Sequence, residues 1–178
     1  ISIVEKEEIL KKCKEIKPDA VISVASDLAT LTVNYLANEL NLTGNSLECT
    51  KISTNKYEMR KAFSLNGVSV PEFIEIDNNE NISDVMKMKL PIIVKPTDRS
   101  GSRAITKITD FSSIELLKKS LQEAIDVSFE KKAIVEEYID GEEFSAESIS
   151  YNGIHTLLTV TRKQTTGAPH FIETGHTQ

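Results

Sequence analysis

The sequence predicts an α/β protein in which the end of a doubly wound α/β domain is followed by a small α+β subdomain. The first forty residues read as helix, strand and helix, an alternation typical of doubly wound domains. The middle of the chain reads instead as strand, loop, strand, helix and strand. Near the end, an Asn-Gly pair between two β-rich runs predicts an antiparallel hairpin.

The first part begins with a helix over residues 5–16, where apolar residues recur at helical spacing until Pro18 ends the pattern. The short β-branched run at 20–25 predicts a buried strand, and a second helix follows at 27–40 with Asp27 as its N-cap. In a doubly wound domain another strand comes before these elements. We therefore expect a strand before the first residue, so that the chain begins inside a longer protein.

A third helix separates the two parts of the chain. Asn55 and Glu58, three residues apart, are typical of a helix N-terminus. Gly67 and Pro71 are typical of the residues that follow a helix C-terminus.

The α+β subdomain is predicted to resemble a lid. Its elements are a strand at 90–94, a polar loop at 97–103, a strand at 104–108, a helix opened by Ser112 and Glu115, and a strand at 133–136. Residues 144–151 and 154–161 then flank the Asn152-Gly153 turn. The polar tail from Lys163 to Gln178 contains Pro169 and is predicted to be a loop.

Composition excludes several classes of function. Hydrophobic residues make up 39% and charged residues 27% of the chain, which is ordinary for a soluble globular protein. The net charge is −6 and no basic block occurs, so nucleic acid is not an expected partner. No stretch approaches about 18 consecutive apolar residues, so no membrane span is expected. Cys13 and Cys49 lack the spacing of a disulfide framework or a zinc site, which favours a cytoplasmic location.

Two lysines lie where an anion could bind. Lys56 follows Ser-Thr-Asn at the start of a helix, where free backbone N–H groups also attract anions. Lys95 ends the apolar run "PIIVK", and a lysine buried there needs an anionic partner such as phosphate. Taken singly, Lys56 is better explained as a solvated first-turn lysine. Lys95 is equally well explained as a lysine that extends from a strand edge to solvent.

Two further features are compatible with a nucleotide. The loop "TDRSGSRA" offers small side chains, backbone N–H groups and hydroxyls that can close over phosphates. In "AIVEEYIDGEEFSAE", Glu143 and Glu147 share one face of an extended segment and could accept hydrogen bonds from ribose hydroxyls. A plain hairpin turn and a solvated acidic strand are the alternatives.

In order and spacing, these features together resemble the ATP-grasp superfamily. The runs that carry the resemblance are "STNKYEMRKAFSLNGVSVPEF", "LPIIVKPTDRSGSRAITKI" and "AIVEEYIDGEEFSAESI". Within the superfamily the chain is similar to the carboxylate–amine ligases, which include amino-acid ligases, and to the carbamoyl-phosphate synthase and biotin carboxylase group. The tail "TRKQTTGAPHFIETGHTQ" looks most like the amino-acid ligases. Residues 51–150 match well, and residues 1–50 match loosely.

The resemblance implies roles for individual residues. Lys56 and Lys95 would contact the nucleotide phosphates. The flexible loop over the triphosphate would contain Ser100, Gly101 and Ser102, although the family loop is usually richer in glycine.

On the nucleoside side, the resemblance assigns the adenine hinge, where backbone groups read the base, to Glu136, Glu137 and Ile139. Glu143 would contact the ribose. Arg162 and His176 would lie on the substrate side.

The resemblance also implies an organisation and a reaction. Its segments are the end of a pre-ATP-grasp α/β domain (1–50), a connecting helix region (51–88), a lid subdomain (89–140) and the start of the C-terminal ATP-grasp subdomain (141–178). ATP would phosphorylate a small carboxylate substrate, and an amine would displace the phosphate. The family's Mg²⁺ ligands are expected downstream of this chain, so the fragment alone is expected to be inactive.

Two alternatives stay open from the sequence. One is a non-catalytic nucleotide-binding or regulatory module of a carbamoyl-phosphate synthase-like protein. The other is a general α/β domain that binds no nucleotide. As partners, the resemblance implies ATP and a small carboxylate and amine, and it leaves a homodimer open as the assembly.

Overall fold

The computed structural model describes residues 1–24, 26–77, 82–168 and 171–178. Its helices are α1 (Lys6–Ile16), α2 (Asp27–Glu39), α3 (Leu47–Thr54), α4 (Lys56–Leu65) and α5 (Ile114–Val127), with a short 3-10 turn at Val85–Lys87. Its strands are β1 (Phe73–Ile76), β2 (Ile92–Pro96), β3 (Thr106–Ile108), β4 (Ala133–Glu137), β5 (Phe144–Tyr151), β6 (Ile154–Thr165) and β7 (Glu173–Thr177). The strands form two antiparallel sheets, ordered β1-β4-β2-β3 and β5-β6-β7. Within these ranges, no helix is long and apolar enough to cross a membrane.

The first sheet has one apolar face, which α5 covers. Ile92 and Val94 of β2 are fully buried. They share one hydrophobic core with Val135 of β4 and Leu117 of α5. Because successive side chains of a strand point to opposite faces, Lys95 lies on the face away from α5. The alternation in β2 therefore separates the core of this sheet from its charged face.

The N-terminal helices pack on each other through Leu10 and Cys13 of α1 and Leu36 of α2. The sequence predicted both helices, but the prediction of Asp27 as the second N-cap is wrong. The N-cap is Ser26, whose backbone is extended and whose Oγ accepts a hydrogen bond from the amide three residues later. Asp27 is the first helical residue, where its charge suits the positive end of the helix.

The buried strand expected at 20–25 does not form. Residues 20–24 contain no strand, and Ile22 and Val24 are 82% and 83% exposed. Ala25 lies outside the described residues. A strand of a doubly wound sheet is stabilised by neighbouring strands and by helices that cover both faces. In the described ranges no strand pairs with this segment, so its apolar side chains stay exposed.

The polar tail was predicted to be a loop, and this is wrong for 8 of its 16 residues, which are in strands. β6 continues to Thr165, and β7 pairs with it so that His176 lies opposite Lys163. Pro169 lies outside the described residues. β7 reads Glu-Thr-Gly-His-Thr and has no apolar alternation, so it is defined by pairing with β6 and not by a local pattern.

The hairpin turn is confirmed. Asn152 and Gly153 join β5 to β6, and both have positive φ angles, 49° and 76°. Positive φ at both central residues is the geometry of the turn that fits the twist of a two-stranded ribbon, and Asn-Gly is the pair that adopts it most readily. The local turn chemistry therefore sets where the second sheet begins.

Candidate functional site

The charged face of the first sheet carries a buried carboxylate between two cations. Ile93 lies opposite Glu136 in the β2–β4 register, so Lys95 is the diagonal neighbour of Glu136 on the same face. Lys95 Nζ forms an ion pair with Glu136 Oε2. From α4, Arg60 Nε lies 2.5 Å from the other carboxylate oxygen, Oε1. The three groups leave one net positive charge at this place.

Glu136 is only 3% exposed, and its ionisation depends on these partners. Burial on its own raises the pKa of the Glu136 carboxyl. The positive charges and hydrogen bonds of Lys95 and Arg60 outweigh burial, so the pKa lies below its usual value. The carboxylate is therefore charged at neutral pH.

Lys56 joins the start of α4 to the loop after β2. The side chain of Asn55 accepts hydrogen bonds from the next two free amides of α4, which confirms the predicted N-cap. The amide of Lys56 donates to the Thr97 carbonyl at 2.8 Å, and its ammonium group donates to the Arg99 carbonyl. These bonds fix the lysine beside the loop that the sequence predicts to cover phosphates.

The pKa of Lys56 is lowered to about 8, first by burial and then by the nearby charge of Lys95. Two cations that repel each other in a half-buried place are a favourable setting for an anion. An anion there would offset the repulsion and raise the Lys56 pKa again.

The loop at residues 97–103 is anchored at its start and exposed at its tip. Thr97 is fully buried, and Asp98 accepts hydrogen bonds from two amides of the segment before β4. Ser100 and Gly101 are exposed, and Gly101 has φ +71°, a conformation that favours glycine. Ser102 Oγ donates to the Phe171 carbonyl at 2.9 Å. The loop therefore meets the second sheet's connecting segment at one side of its tip.

A cavity of about 490 Å³ lies between the segment that joins β4 to β5 and the end of β6, and Ile139 and Glu143 line it. Tyr138 and Phe171 are also in its wall, with ring centroids 6.2 Å apart. The structure thus brings together two of the residues that the sequence assigns to the nucleoside.

Lys163 belongs to this cavity and was missed by the sequence reasoning. Its ammonium group lies 2.8 Å from Glu143 Oε1 and 3.3 Å from Glu173 Oε2. Burial lowers the pKa of Lys163, but these two carboxylates outweigh burial and the net pKa is raised. The sequence signal is a charge on each side of the hairpin turn.

A register shift decides which charge faces Glu143. The pairing changes by one residue at Glu147, so Leu158 is an extra residue in β6. Continuing the shifted register, the Lys163 amide donates to the Glu143 carbonyl. A regular hairpin about the same turn would have placed Arg162 opposite Glu143.

The residues that the resemblance assigns to the adenine hinge have different surroundings in the structure. Glu136 points with its side chain to the ion cluster described above. The amide of Glu137 donates to the Glu72 carbonyl at 2.9 Å, which ties β4 to the segment before β1. Ile139 is 64% exposed at the cavity. The side chains of Glu136 and Ile139 therefore serve different places, one at the charged face and one at the cavity.

The structure does not bring Arg162 and His176 together. Arg162 lies opposite Thr177, whereas His176 lies opposite Lys163, so the two side chains project from opposite faces of the sheet. Arg162 pairs with Glu142 at 2.6 Å. His176 contacts side chains of its own sheet, with Nε2 2.7 Å from Glu173 Oε1.

A larger cavity, about 800 Å³, borders the loop at residues 97–103, which is called the phosphate loop below after its predicted role. It lies between α2, α3 and the loop, and both Lys56 and Ser100 reach it. Its wall contains five basic residues, among them Arg99 and Arg103, and three acidic residues, together with apolar side chains such as Leu31. A small anionic molecule with an apolar part would match such a wall.

The comparison with known proteins shows the family. Residues 88–178, just over half of the chain, match the ATP-grasp domain. The chain belongs to the ATP-grasp family. The match contains Lys95, the loop at residues 97–103, the residues predicted for the adenine hinge and Glu143, whereas Lys56 and Arg60 precede it. The resemblance described from the sequence is confirmed.

Relatives of this ATP-grasp chain include ligases. It is 29% identical to the D-alanine–D-alanine ligase of Polynucleobacter asymbioticus over 123 residues, 68% of the chain and 35% of the ligase. It is 23% identical to the carbamoyl phosphate synthase large chain of Caldanaerobacter subterraneus subsp. tengcongensis over 147 residues, 81% of the chain and 13% of the synthase. The chain thus spans about a third of the length of the curated ligase.

Among solved structures, the L-amino acid ligase from Bacillus licheniformis shares the ATP-grasp fold. The TM-score is 0.75 at 24% identity, over 94% of this chain and 38% of the ligase. This similarity confirms the expected fold class across both sheets and the N-terminal helices.

Membership of the ATP-grasp family implies a bound metal ion, which needs oxygen or nitrogen ligands from neighbouring side chains. In the described part of the chain, no three His, Cys, Asp or Glu side chains come together so that they could hold a metal ion. None of the described residues is assigned to Mg²⁺.

Proposed function

We propose that the chain is the ATP-binding portion of an ATP-dependent ligase that joins a small carboxylate, such as an amino acid, to an amine. The observation that carries the proposal is the convergence of Lys56 and Lys95, from two different elements, beside the phosphate loop. Membership of the ATP-grasp family and similarity to a D-alanine–D-alanine ligase support this choice of reaction.

In this proposal the lysines bind the phosphates. Lys95 carries charge that Glu136 neutralises only in part, because Arg60 shares the same carboxylate. Lys56 adds a second cation, and the exposed amides at Ser100 and Gly101 can donate to phosphate oxygens. Ser102 adds a hydroxyl. Such an arrangement stabilises the charge of the transferred phosphoryl group.

The nucleoside would occupy the smaller cavity, between the β4–β5 connection and β6. Ribose hydroxyls would donate to the Glu143 carboxylate, whose position Lys163 holds from the opposite strand. Backbone groups between Glu137 and Ile139 would read the adenine edge, as the resemblance implies. The exposed side chain of Ile139 would cover one side of the base.

The reaction would proceed in two balanced steps. A carboxylate oxygen attacks the γ-phosphorus, the bond between that phosphorus and ADP breaks, and an acyl phosphate forms. The amine nitrogen then attacks the acyl carbon, the bond to phosphate breaks, and phosphate leaves as the amine loses a proton. Both steps depend mainly on positioning and on neutralising negative charge.

The larger cavity is the proposed approach for the carboxylate substrate. It opens next to Lys56 and Ser100, and Arg99 and Arg103 in its wall attract a carboxylate. Arg162 would meet the nucleotide or substrate from the smaller cavity. His176 is also proposed for the substrate side, although it lines neither of the two cavities described here.

The four segments proposed from the sequence remain a proposed organisation. Segments 89–140 and 141–178 correspond to the two sheets, apart from one strand. β1 falls in the connecting segment 51–88 and pairs with β4, so that segment contributes to the lid sheet as well.

The second candidate is a nucleotide-binding module without ligase activity, in a carbamoyl-phosphate synthase-like protein. The similarity to a carbamoyl phosphate synthase large chain favours it. In that case the phosphate and nucleoside sites would bind ATP, but no amino acid would react.

Trapping of the acyl phosphate separates the candidates. The complete natural protein is incubated with ATP, a panel of amino acids and hydroxylamine, and hydroxamate and phosphate are measured. Ligase activity predicts hydroxamate and phosphate with at least one amino acid. When an accepted amine replaces hydroxylamine, it predicts the amide and phosphate, without hydroxamate. ATP binding without hydroxamate from any carboxylate would overturn the ligase proposal and favour the second candidate.

A further inference from the structure

Arg60 reaches the phosphate region only through another side chain. It lies on α4, one turn after Lys56, and its Nε contacts Glu136 Oε1 at 2.5 Å. Lys95 takes the other oxygen, Oε2, of the same carboxylate. The two cations therefore divide one buried anion between them.

Burial makes this division matter. The side chain of Glu136 is 4% exposed, that of Lys95 17% and that of Arg60 25%, so the carboxylate has little access to water. A buried carboxylate that loses its only partner is strongly destabilised. If Lys95 were the only partner, turning its ammonium group toward a phosphate would leave Glu136 without compensation. With Arg60 in place, Glu136 keeps a partner while Lys95 moves.

We propose that Arg60 is a positioning residue, which holds Glu136 so that Lys95 is free to bind the phosphates of ATP. The inference rests on the proposed function, because it needs a nucleotide at Lys95. Arg60 does not contact the phosphates itself. Its effect on ATP binding passes entirely through the Glu136 carboxylate.

The first test is ATP affinity of the complete natural protein, measured by calorimetry for Arg60→Met and for the matched control Lys61→Met. Lys61 is the next residue on α4, and it pairs with Glu58 at the surface. Both substitutions remove one positive charge from the same helix. We expect the dissociation constant to rise about tenfold for Arg60→Met, typical of losing one charge-assisted bond. We expect a change below about twofold for Lys61→Met, and partial recovery in Arg60→Lys.

The second test removes the carboxylate. In Glu136→Gln, no buried anion holds Lys95, so adding Arg60→Met should leave the ATP affinity unchanged. This pair of variants contains no unpaired buried carboxylate, so it stays informative even if Arg60→Met alone unfolds. A tenfold loss on adding Arg60→Met to Glu136→Gln would overturn the inference, because Arg60 would then act directly on the ligand.

The outcomes separate this inference from the proposed function. Wild-type protein that binds no ATP contradicts the proposed function. Wild-type protein that binds ATP, with Arg60→Met folded and unchanged in affinity, contradicts the role of Arg60 alone. Equal losses for Arg60→Met and Lys61→Met would also contradict it, because a general charge effect would then explain both.

Discussion

The two sheets of this molecule differ in how their apolar side chains are covered. In the first sheet, Ile92 and Val94 are fully buried beneath α5. In the second sheet, Ile149, Tyr151 and Ile154 are 60%, 70% and 71% exposed. Both sheets have strands rich in β-branched and aromatic residues. In the described part of the chain, α5 packs on the first sheet and no helix packs closely on the second.

This difference assigns different kinds of stability to the two halves of the proposed nucleotide site. Lys95 and Glu136 stand on a sheet whose geometry is maintained by its own core. Glu143 and Lys163 stand on a sheet maintained by the Asn152-Gly153 turn, cross-strand hydrogen bonds and exposed ion pairs. The phosphate side is therefore expected to be preorganised more strongly than the nucleoside side.

The largest effect is expected from a matched pair of substitutions, one in the core of the first sheet and one on the surface of the second sheet. Ile92→Ala should lower the free energy of unfolding by about 2–5 kcal/mol, because it leaves a cavity in a packed core. Ile154→Ala should change it by less than about 0.5 kcal/mol, since that side chain is already exposed. Urea unfolding followed by circular dichroism measures both. Similar losses would mean that the second sheet is covered in solution.

The next largest effect is a pH dependence of ATP binding, which we expect to come from Lys56 on the phosphate side of the site. Lys56 has a pKa of about 8, whereas the pKa of Lys163 is raised above its ordinary value of 10.5. A bound polyanion would raise the Lys56 pKa, so ATP binding should take up a proton near pH 8 and weaken as pH rises further. Calorimetry in two buffers with different ionisation enthalpies measures this uptake. In Lys56→Arg the side chain stays charged, so this variant should bind ATP without taking up a proton. Proton uptake that remains in Lys56→Arg would mean that another group takes up the proton.

The same pKa has a consequence for folding, with a definite sign. Between pH 8 and 10.5, the unfolded chain holds the Lys56 proton and the folded chain does not. The contribution of this group to the free energy of unfolding therefore rises with pH across that window, and below pH 8 it no longer changes. Comparing the slope of stability against pH for wild type and Lys56→Met isolates it. Equal slopes would contradict the assignment.

The smallest expected effect is in the phosphate loop. The amide of Thr97 donates to the Lys132 carbonyl, whereas Ser100 and Gly101 at the tip are exposed. Hydrogen exchange should be slower at Thr97 than at the tip, and ATP should slow the tip by roughly severalfold. If the exchange rate at the tip were the same with and without ATP, the loop would not cover the phosphates.

Local patterns predicted four of the helices and three strands of the first sheet, but not α3 or β1. Helical spacing predicted α1 and α2, the Asn55 cap predicted α4, and the apolar run in "PIIVKP" predicted β2 with Lys95 at its end, whereas α3 was not predicted. The Asn152-Gly153 turn was predicted from two residues. These features depend on interactions within a few residues, which a sequence displays directly.

Features that depend on distant partners were not predicted. Residues 20–24 have the composition of a strand, but no strand in the described ranges pairs with them. β7 lacks a typical strand composition, but it pairs with β6. The register shift at Glu147 changes which residue faces Glu143. Arg60 meets Glu136 across 76 positions of sequence, so nothing near it in the chain marks it as part of the site.

The account depends most on Lys95 as a phosphate ligand. Calorimetry of ATP binding to the complete natural protein compares Lys95→Ala with Lys119→Ala, a lysine 73% exposed on α5 and far along the chain from the site. Lys95→Ala should weaken ATP binding about tenfold or more, because a charge-assisted contact is typically worth about 1.5–3 kcal/mol. Lys119→Ala should leave the affinity unchanged. Wild-type affinity in Lys95→Ala, with the fold intact, would contradict the proposed site.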